Sequence, residues 1–246
     1  MQVQQIPSIG IIGFGRFGQL LVNHLTPDFS VAVNSQSSDG DIIRGTGAIP
    51  VSLEEVCARD VVIPAVPISA FEETISDIAP LIDDVLVVDV CSVKEYPVTI
   101  MQKYLPETTG IIATHPMFGP DSAWSTLAGQ KIVVSQIRCD DSVFDCIKTY
   151  LWNKKLQVIE TTPEEHDRQI ARTQILTHFI GRGMSQFKAI PFEIDTEGYK
   201  RLLKILDVVE NDTEQLFRDM NWYNRFDKEA REEFIRALQQ IHKEVS

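Results

Sequence analysis

Positive charge is scarce in this chain. Its 246 residues hold 23 lysines and arginines against 35 aspartates and glutamates, a formal net charge of −12. A nucleic-acid surface needs a basic footprint, so this balance argues against nucleic acid as a partner. It leaves room for a small anionic ligand, which a few local cations or a helix N-terminus can hold. Apolar runs long enough to span a membrane are missing, so no membrane association is expected. The start, Met1 to Pro7, has neither the basic region nor the separate apolar region of a signal peptide, and the chain reads as cytoplasmic. Cysteine is sparse as well. Cys57, Cys91, Cys139 and Cys146 lack metal-type or redox-type spacing, so they read as reduced thiols, and no metal site is expected. What is plentiful is ordinary globular material, 43% hydrophobic and 24% charged residues, enough to bury a core in one or two domains.

Through the first two-thirds, short apolar runs alternate with amphipathic stretches. Ser8–Ile12, Ser30–Val33, Asp60–Ala65, Asp84–Val90, Gly110–Ala113, Lys131–Ser135 and Leu156–Ile159 read as strands. Arg16–Leu25, Leu53–Ala58, Phe71–Ile78, Val98–Leu105 and Ser142–Leu151 read as helices. Such alternation means an α/β fold with a mainly parallel sheet covered on both faces. The pattern changes near Thr161. Thr162 suits a helix cap, Pro163 the first helical position, and Glu164 and Glu165 the first turn. From there to Ser246 the periods are helical.

The stretch "SIGIIGFGRFGQLL" carries Gly13-x-Gly15-x-x-Gly18 directly between a strand and a helix. In that context the triplet is the fingerprint of a dinucleotide-binding, Rossmann-type fold. Gly13 allows the tight turn, Gly15 lets a pyrophosphate approach the backbone, and Gly18 lets the helix pack on the strand. Gly13, Phe14, Gly15, Arg16, Phe17 and Gly18 are the expected cradle; the competing reading is a glycine-rich turn without a ligand. The expected organisation is a nucleotide-binding domain over residues 1–160 and an all-α domain over 161–246. An NAD enzyme places an acid at the end of the second strand to hold the ribose 2′-hydroxyl. Here Asn34, Ser35, Gln36 and Ser37 stand there, with no acid before Asp39 and Arg44 as the nearest cation. NADP is therefore favoured over NAD.

Three later strand ends deliver residues to the rim where such sheets bind ligands. Val66 and Pro67 follow one, Ser92 the next, and His115 the third. Pro116 biases the residue before it to an extended conformation, so His115 is expected just past a strand end. A lone strand-end serine is usually a turn residue, but Ser92 with His115 offers a hydroxyl and an imidazole that can cooperate in proton transfer. His178, in the apolar stretch "ILTHFI", reads by itself as a core histidine. His166 reads as structural beside Asp167, and His24 and His242 as surface residues.

The segments "GIIGFGRFGQLL", "VVDVCSVKE", "THPMFGPDSA", "EEHDRQIARTQILTHFIGR", "DTEGYKRLL" and "NWYNR", in this order, resemble the prephenate/arogenate dehydrogenase family of tyrosine biosynthesis. "TQILTHFIGR" with "SVKEY" resembles its plant-type, NADP-dependent arogenate dehydrogenases. The resemblance implies oxidative decarboxylation of a small cyclohexadienol, arogenate or prephenate, by a homodimer with a helical dimerisation domain. It implies His115 as the base on the ring 4-hydroxyl, Ser92 as its partner, and His178 with Gln174 in the substrate pocket. It breaks down at the arginine that holds the ring carboxylate in bacterial members. Here Asp195-Thr196 is followed by Glu197-Gly198-Tyr199-Lys200-Arg201, so Lys200 or Arg201 would serve, with Arg182 and Arg225 as further options. A solvated helix face is the alternative for Lys200 and Arg201. The rival readings are another NADP-dependent Rossmann oxidoreductase, of β-hydroxyacid dehydrogenase or imine reductase type, and a non-catalytic nucleotide-binding protein.

Overall fold

The apolar runs become the strands of one sheet. The computed structural model describes residues 7–36 and 40–246. The chain divides after Pro163 into two units. In the first, the strands are β1 (Ser8–Ile12), β2 (Ser30–Asn34), β3 (Ile49–Pro50), β4 (Val61–Pro64), β5 (Leu86–Asp89), β6 (Gly110–Pro116), β7 (Lys131–Arg138) and β8 (Gln157–Glu160). They line up in the order β3-β2-β1-β4-β5-β6-β7-β8. All neighbours run parallel except β6 and β7. Ile9, Ile11, Val31, Val33 and Val87 are buried, as expected where helices cover both faces. The strand order reverses between β1 and β4, and at such a point the carboxyl ends of the strands open into a crevice.

The connections in this unit are α1 (Arg16–Leu25), α2 (Gly40–Gly45), α3 (Leu53–Cys57), α4 (Ile68–Ile78), α5 (Glu95–Tyr104), α6 (Pro120–Ala123) and α7 (Asp141–Asn153). In α4, Ile68, Phe71, Ile75 and Ile78 form one buried stripe at helical spacing. Each such side chain contributes about 1.5–3 kcal/mol on full burial. Ser52 and Glu55 form a reciprocal capping box that starts α3. Elements α2, β3 and α6 are absent from the sequence-based expectation.

The second unit is helical: α8 (Pro163–Ile170), a π-type turn over Ala171–Ile175, α9 (Leu176–Gln186), α10 (Glu197–Glu210), α11 (Glu214–Tyr223) and α12 (Asp227–Glu244). Gly181 lets α9 approach α10, since a Cβ there would meet the Val209 side chain at 2.7 Å. Asn224 donates to the Asp167 carbonyl at 2.8 Å and staples the α11–α12 turn to α8. No helix among the described residues is long and apolar enough to cross a membrane.

Candidate active site

The turn between β1 and α1 is built for close approach. Gly13 has φ +101°, and a Cβ there would meet the Ala65 carbonyl oxygen at 2.5 Å. Its N–H donates to the Asn34 carbonyl at 2.8 Å, tying the turn to the end of β2. A Cβ at Gly18 would collide with the Gly13 carbonyl, so α1 seats directly on the turn. Gly15 differs: nothing lies within 4 Å of where its Cβ would stand. It caps α1 without a side-chain hydrogen bond, and the first turn carries no acid. Uncapped N–H groups at the positive end of a helix, with open space before them, fit a dinucleotide pyrophosphate. Phe14 departs from expectation. Its side chain is buried among Ile11, Val31 and Val33, so it offers a ligand only its backbone. Phe17 is half-buried. Arg16 is exposed and reaches Asp121 Oδ1 at 2.7 Å.

At the end of β2, Asn34 Nδ2 donates to the Val51 carbonyl at 3.0 Å. Beside it lies a cavity of about 340 Å³ lined by Val33, Ser35, Arg44, Pro50, Ser52 and Glu55 among others. Arg44 is held by Asp41 at 2.6 Å. Glu55 accepts from the Ser52 N–H in the capping box, so its carboxylate is already engaged. Gln36 is exposed, and Ser37 lies outside the described residues.

Along the rim, Val66 is half-buried and Pro67 is exposed at the start of α4. Ser92 follows β5 and is half-buried. His115 is not past a strand end. β6 continues through Pro116, and His115 sits within it opposite Val133 of β7. The reason is pairing: antiparallel β7 runs alongside and carries the strand on through Thr-His-Pro, past the point where β5 has ended. His115 is only 2% exposed. With Asp89 opposite Ala113, Ser92 lies just beyond the carboxyl end of β5 and His115 in the last residues of the neighbouring β6.

Beside them lies a cluster that the sequence did not announce. Asp89 and Lys94 have fully buried side chains and form an ion pair. Lys94 Nζ also donates to the Thr114 carbonyl. The other carboxylate oxygen of Asp89 accepts from the Cys91 N–H at 2.7 Å, and Thr114 Oγ1 donates to the Asp89 carbonyl at 2.7 Å. Burial pushes the Asp89 carboxyl upward, while the Lys94 ammonium and the Cys91 N–H pull it down. The available signal was an Asp and a Lys inside the otherwise uncharged run "VVDVCSVK". His24 is another departure: its Nε2 stands 2.7 Å from the Ala123 carbonyl, and Asn23 donates to the Trp124 carbonyl at 3.0 Å. These α1 side chains hold the segment after His115, so His24 is no loose surface residue.

In the second unit, Gln174 falls in the π-type turn, a feature frequent at functional sites. Its Nε2 contacts Met220 Sδ at 3.8 Å, and its Oε1 is buried without a partner. His178 is 3% exposed, with Nε2 at 3.5 Å from Asp212 Oδ2 and Nδ1 unpartnered. Burial lowers the imidazole from its ordinary range, the Asp212 carboxylate pulls it up, and Arg182 pushes it down. Sequence reasoning missed Asp212, whose place beside His178 depends on helix packing. Arg182 donates to the Asp212 carbonyl at 2.9 Å and pairs with Glu214 at 3.2 Å. Lys200 is held between Glu197 at 3.0 Å and Asp195 at 3.6 Å. Arg201 is exposed on α10. Arg225 pairs with Glu164 at 3.2 Å. His166 is buried against Asp167 at 2.7 Å, and His242 is exposed.

A doubly wound sheet, a glycine turn opening on an uncapped helix and a polar strand-end rim define a dinucleotide-binding dehydrogenase. Residues 44–160 match the family model described as the nucleotide-binding domain of prephenate dehydrogenase. Residues 184–246 match a TYRAAT1-like C-terminal domain. Arogenate dehydrogenase 2, chloroplastic, of Arabidopsis thaliana is 31% identical over 248 residues, covering 96% of this chain and 69% of that protein. Arogenate dehydrogenase 1, chloroplastic, of the same plant is 30% identical over 250 residues; the match covers 96% of this chain but only 39% of that longer protein. The prephenate dehydrogenase from A. aeolicus, solved with hydroxyphenyl propionate and NAD+, superimposes with a TM-score of 0.79 at 18% identity, covering 99% of this chain and 92% of that one. The chain belongs to the prephenate/arogenate dehydrogenase family.

Proposed function

We propose that this dehydrogenase carries out the oxidative decarboxylation of arogenate with NADP, forming tyrosine. The observation that carries the reading is the juxtaposition of Ser92 and His115 on adjacent strand ends in a sheet whose β1–α1 turn fits a dinucleotide. When bound, the oxidised nicotinamide supplies the hydride acceptor. His115 takes the proton of the ring 4-hydroxyl as hydride leaves ring C4, a task suited to an imidazole, which titrates near neutrality. Ser92 hydrogen-bonds the same hydroxyl or orients the imidazole. The imidazolium then returns the proton to the ring oxygen as the bond to the carboxylate breaks and its electron pair completes the aromatic ring.

NADP is supported by the absence of an acid at Asn34, Ser35 and Gln36 and by Arg44 in the adjoining cavity. NAD is the alternative, as in the solved A. aeolicus complex. The amino-acid substrate is supported by Asp212, whose carboxylate lies beside His178 and favours an ammonium over a keto acid. Gln174 and His178, each with a buried unpartnered polar atom, are the substrate-facing pair. Of the candidate cations for the ring carboxylate, Lys200 already stands between two acids, which favours Arg201. A homodimer through the second unit is supported by its exposed apolar side chains, among them Phe187, Phe192, Ile194, Leu238 and Ile241.

The test is turnover of arogenate and of prephenate, each with NADP and NAD, with chromatographic identification of the aromatic product. Tyrosine from arogenate with NADP is expected. Turnover of prephenate alone overturns the substrate, turnover with NAD alone overturns the cofactor, and silence in all four arms overturns the reading.

A further inference from the structure

We infer that the buried Asp89–Lys94 pair, strapped to the Thr114 carbonyl, is a positioning device that fixes His115 and Ser92 relative to each other. The inference rests on the reading of His115 as the base.

Charges buried this completely are hard to explain as stabilisers. Removing two ions from water costs more than their attraction commonly returns, and well-packed apolar residues often serve the fold equally well. The geometry supplies another reason for the pair. Both partners are fully buried, and their side-chain contacts to Cys91 and Thr114 fall on residues next to the rim. One carboxylate oxygen of Asp89 accepts from the Cys91 N–H, which fixes the turn that delivers Ser92. The other receives the ammonium of Lys94. That ammonium also grips the carbonyl of Thr114, the residue immediately before His115. Thr114 is held a second time through its hydroxyl, which donates to the Asp89 carbonyl. On its far side His115 is followed by Pro116 and flanked by Val133 of β7.

The backbone around the imidazole is thus constrained from β5 and from β7 at once. An ammonium has donors for both the carboxylate and the carbonyl, and a side chain without donors at this position would leave both unsatisfied. Catalytic geometry is sensitive to this kind of support: a misplacement of roughly 1 Å can cost about a hundredfold in rate. Asp89 and Lys94 are positioning residues here, acting through His115 and Ser92.

The test is the double substitution Asp89→Asn and Lys94→Met, which removes both charges and keeps the side-chain volumes. The expected result is a folded protein whose NADP affinity and substrate KM stay within about threefold, while kcat falls about a hundredfold. A variant that keeps kcat within about threefold, or that loses kcat only in step with cofactor affinity and melting temperature, reduces the pair to a structural element and overturns the inference. If the double variant does not fold, Thr114→Val removes only the hydroxyl strap. It is expected to lower kcat about fivefold at constant KM, and unchanged kcat overturns the inference. Carbethoxylation of His115 by diethyl pyrocarbonate, followed by mass spectrometry, reads the same clamp without turnover. It is expected to quicken about tenfold in the variant as the strand end loosens. Wild-type protein silent on both substrates, with His115 labelled faster in the variant, separates failure of the proposed function from failure of the clamp. Equal labelling overturns the clamp.

Discussion

Replacing Arg44 by alanine tests how the chain chooses its cofactor. Arg44 lines the cavity at the end of β2, together with Ser35, where a 2′-phosphate on the adenosine ribose would be received. A hydrogen bond to a charged group contributes about 1.5–3 kcal/mol. Against this stands release of Arg44 from Asp41, an exposed pair worth at most about 1 kcal/mol. The net is about 1–2 kcal/mol for NADP and nothing for NAD, which has no phosphate there. At about 1.4 kcal/mol per decade, that is a five- to thirtyfold rise in the Kd for NADPH. Fluorescence titration of the reduced cofactors measures it directly. NADPH affinity is expected to fall by that factor while NADH affinity changes less than about twofold, and the difference should shrink at high salt. Equal loss for both cofactors, or loss for neither, would refute the placement of the 2′-phosphate.

Four further predictions rest on the same geometry. His115→Asn should lower kcat by about 10²–10⁴-fold while NADP affinity holds; steady-state kinetics with a binding titration checks this, and turnover within a few-fold of wild type contradicts the base. Gly15→Ala should leave the melting temperature nearly unchanged, because its Cβ enters open space, yet weaken cofactor binding. Gly18→Ala should cost about 1–3 kcal/mol of stability, because its Cβ collides with the Gly13 carbonyl; thermal melts of the pair separate the two effects. Burial holds the folded His178 imidazole below its ordinary value, so the unfolded chain takes up this proton first on acidification. Its contribution is fully favourable above about pH 6.5 and declines as pH falls from there toward the folded value. Urea unfolding across that window should show a slope that His178→Gln flattens.

Much of the fold was legible because its signals are local. The apolar runs of β1, β2 and β5, the stripe of α4 and the glycine turn each declare themselves within about a dozen residues. The short elements α2, β3 and α6 did not; of the short helices α2, α3 and α6 only α3 was read. β6 ran on past its expected end because its polar residues find partners in three dimensions: Thr114 in Asp89 and Lys94, His115 alongside β7. Asp89 and Lys94 were not singled out in the sequence, because their pairing shows only in the folded strand end. The rim serine could be read from a strand end, whereas the histidine expected past one lies inside β6. Asp212 beside His178 could not, because the packing of the second unit joins residues that no periodicity links. Phe14 stood in the motif's ligand-facing loop yet filled the core, since a motif records positions and not which way each side chain turns.

The central claim is that hydride transfer and loss of carbon dioxide belong to one reaction. The most direct measurement follows NADPH formation and carbon dioxide release together, from arogenate labelled at the ring carboxylate. The account predicts that the two appear in a one-to-one ratio and that both vanish together in His115→Asn. NADPH formed without carbon dioxide, or neither formed while the cofactor is bound, would contradict it.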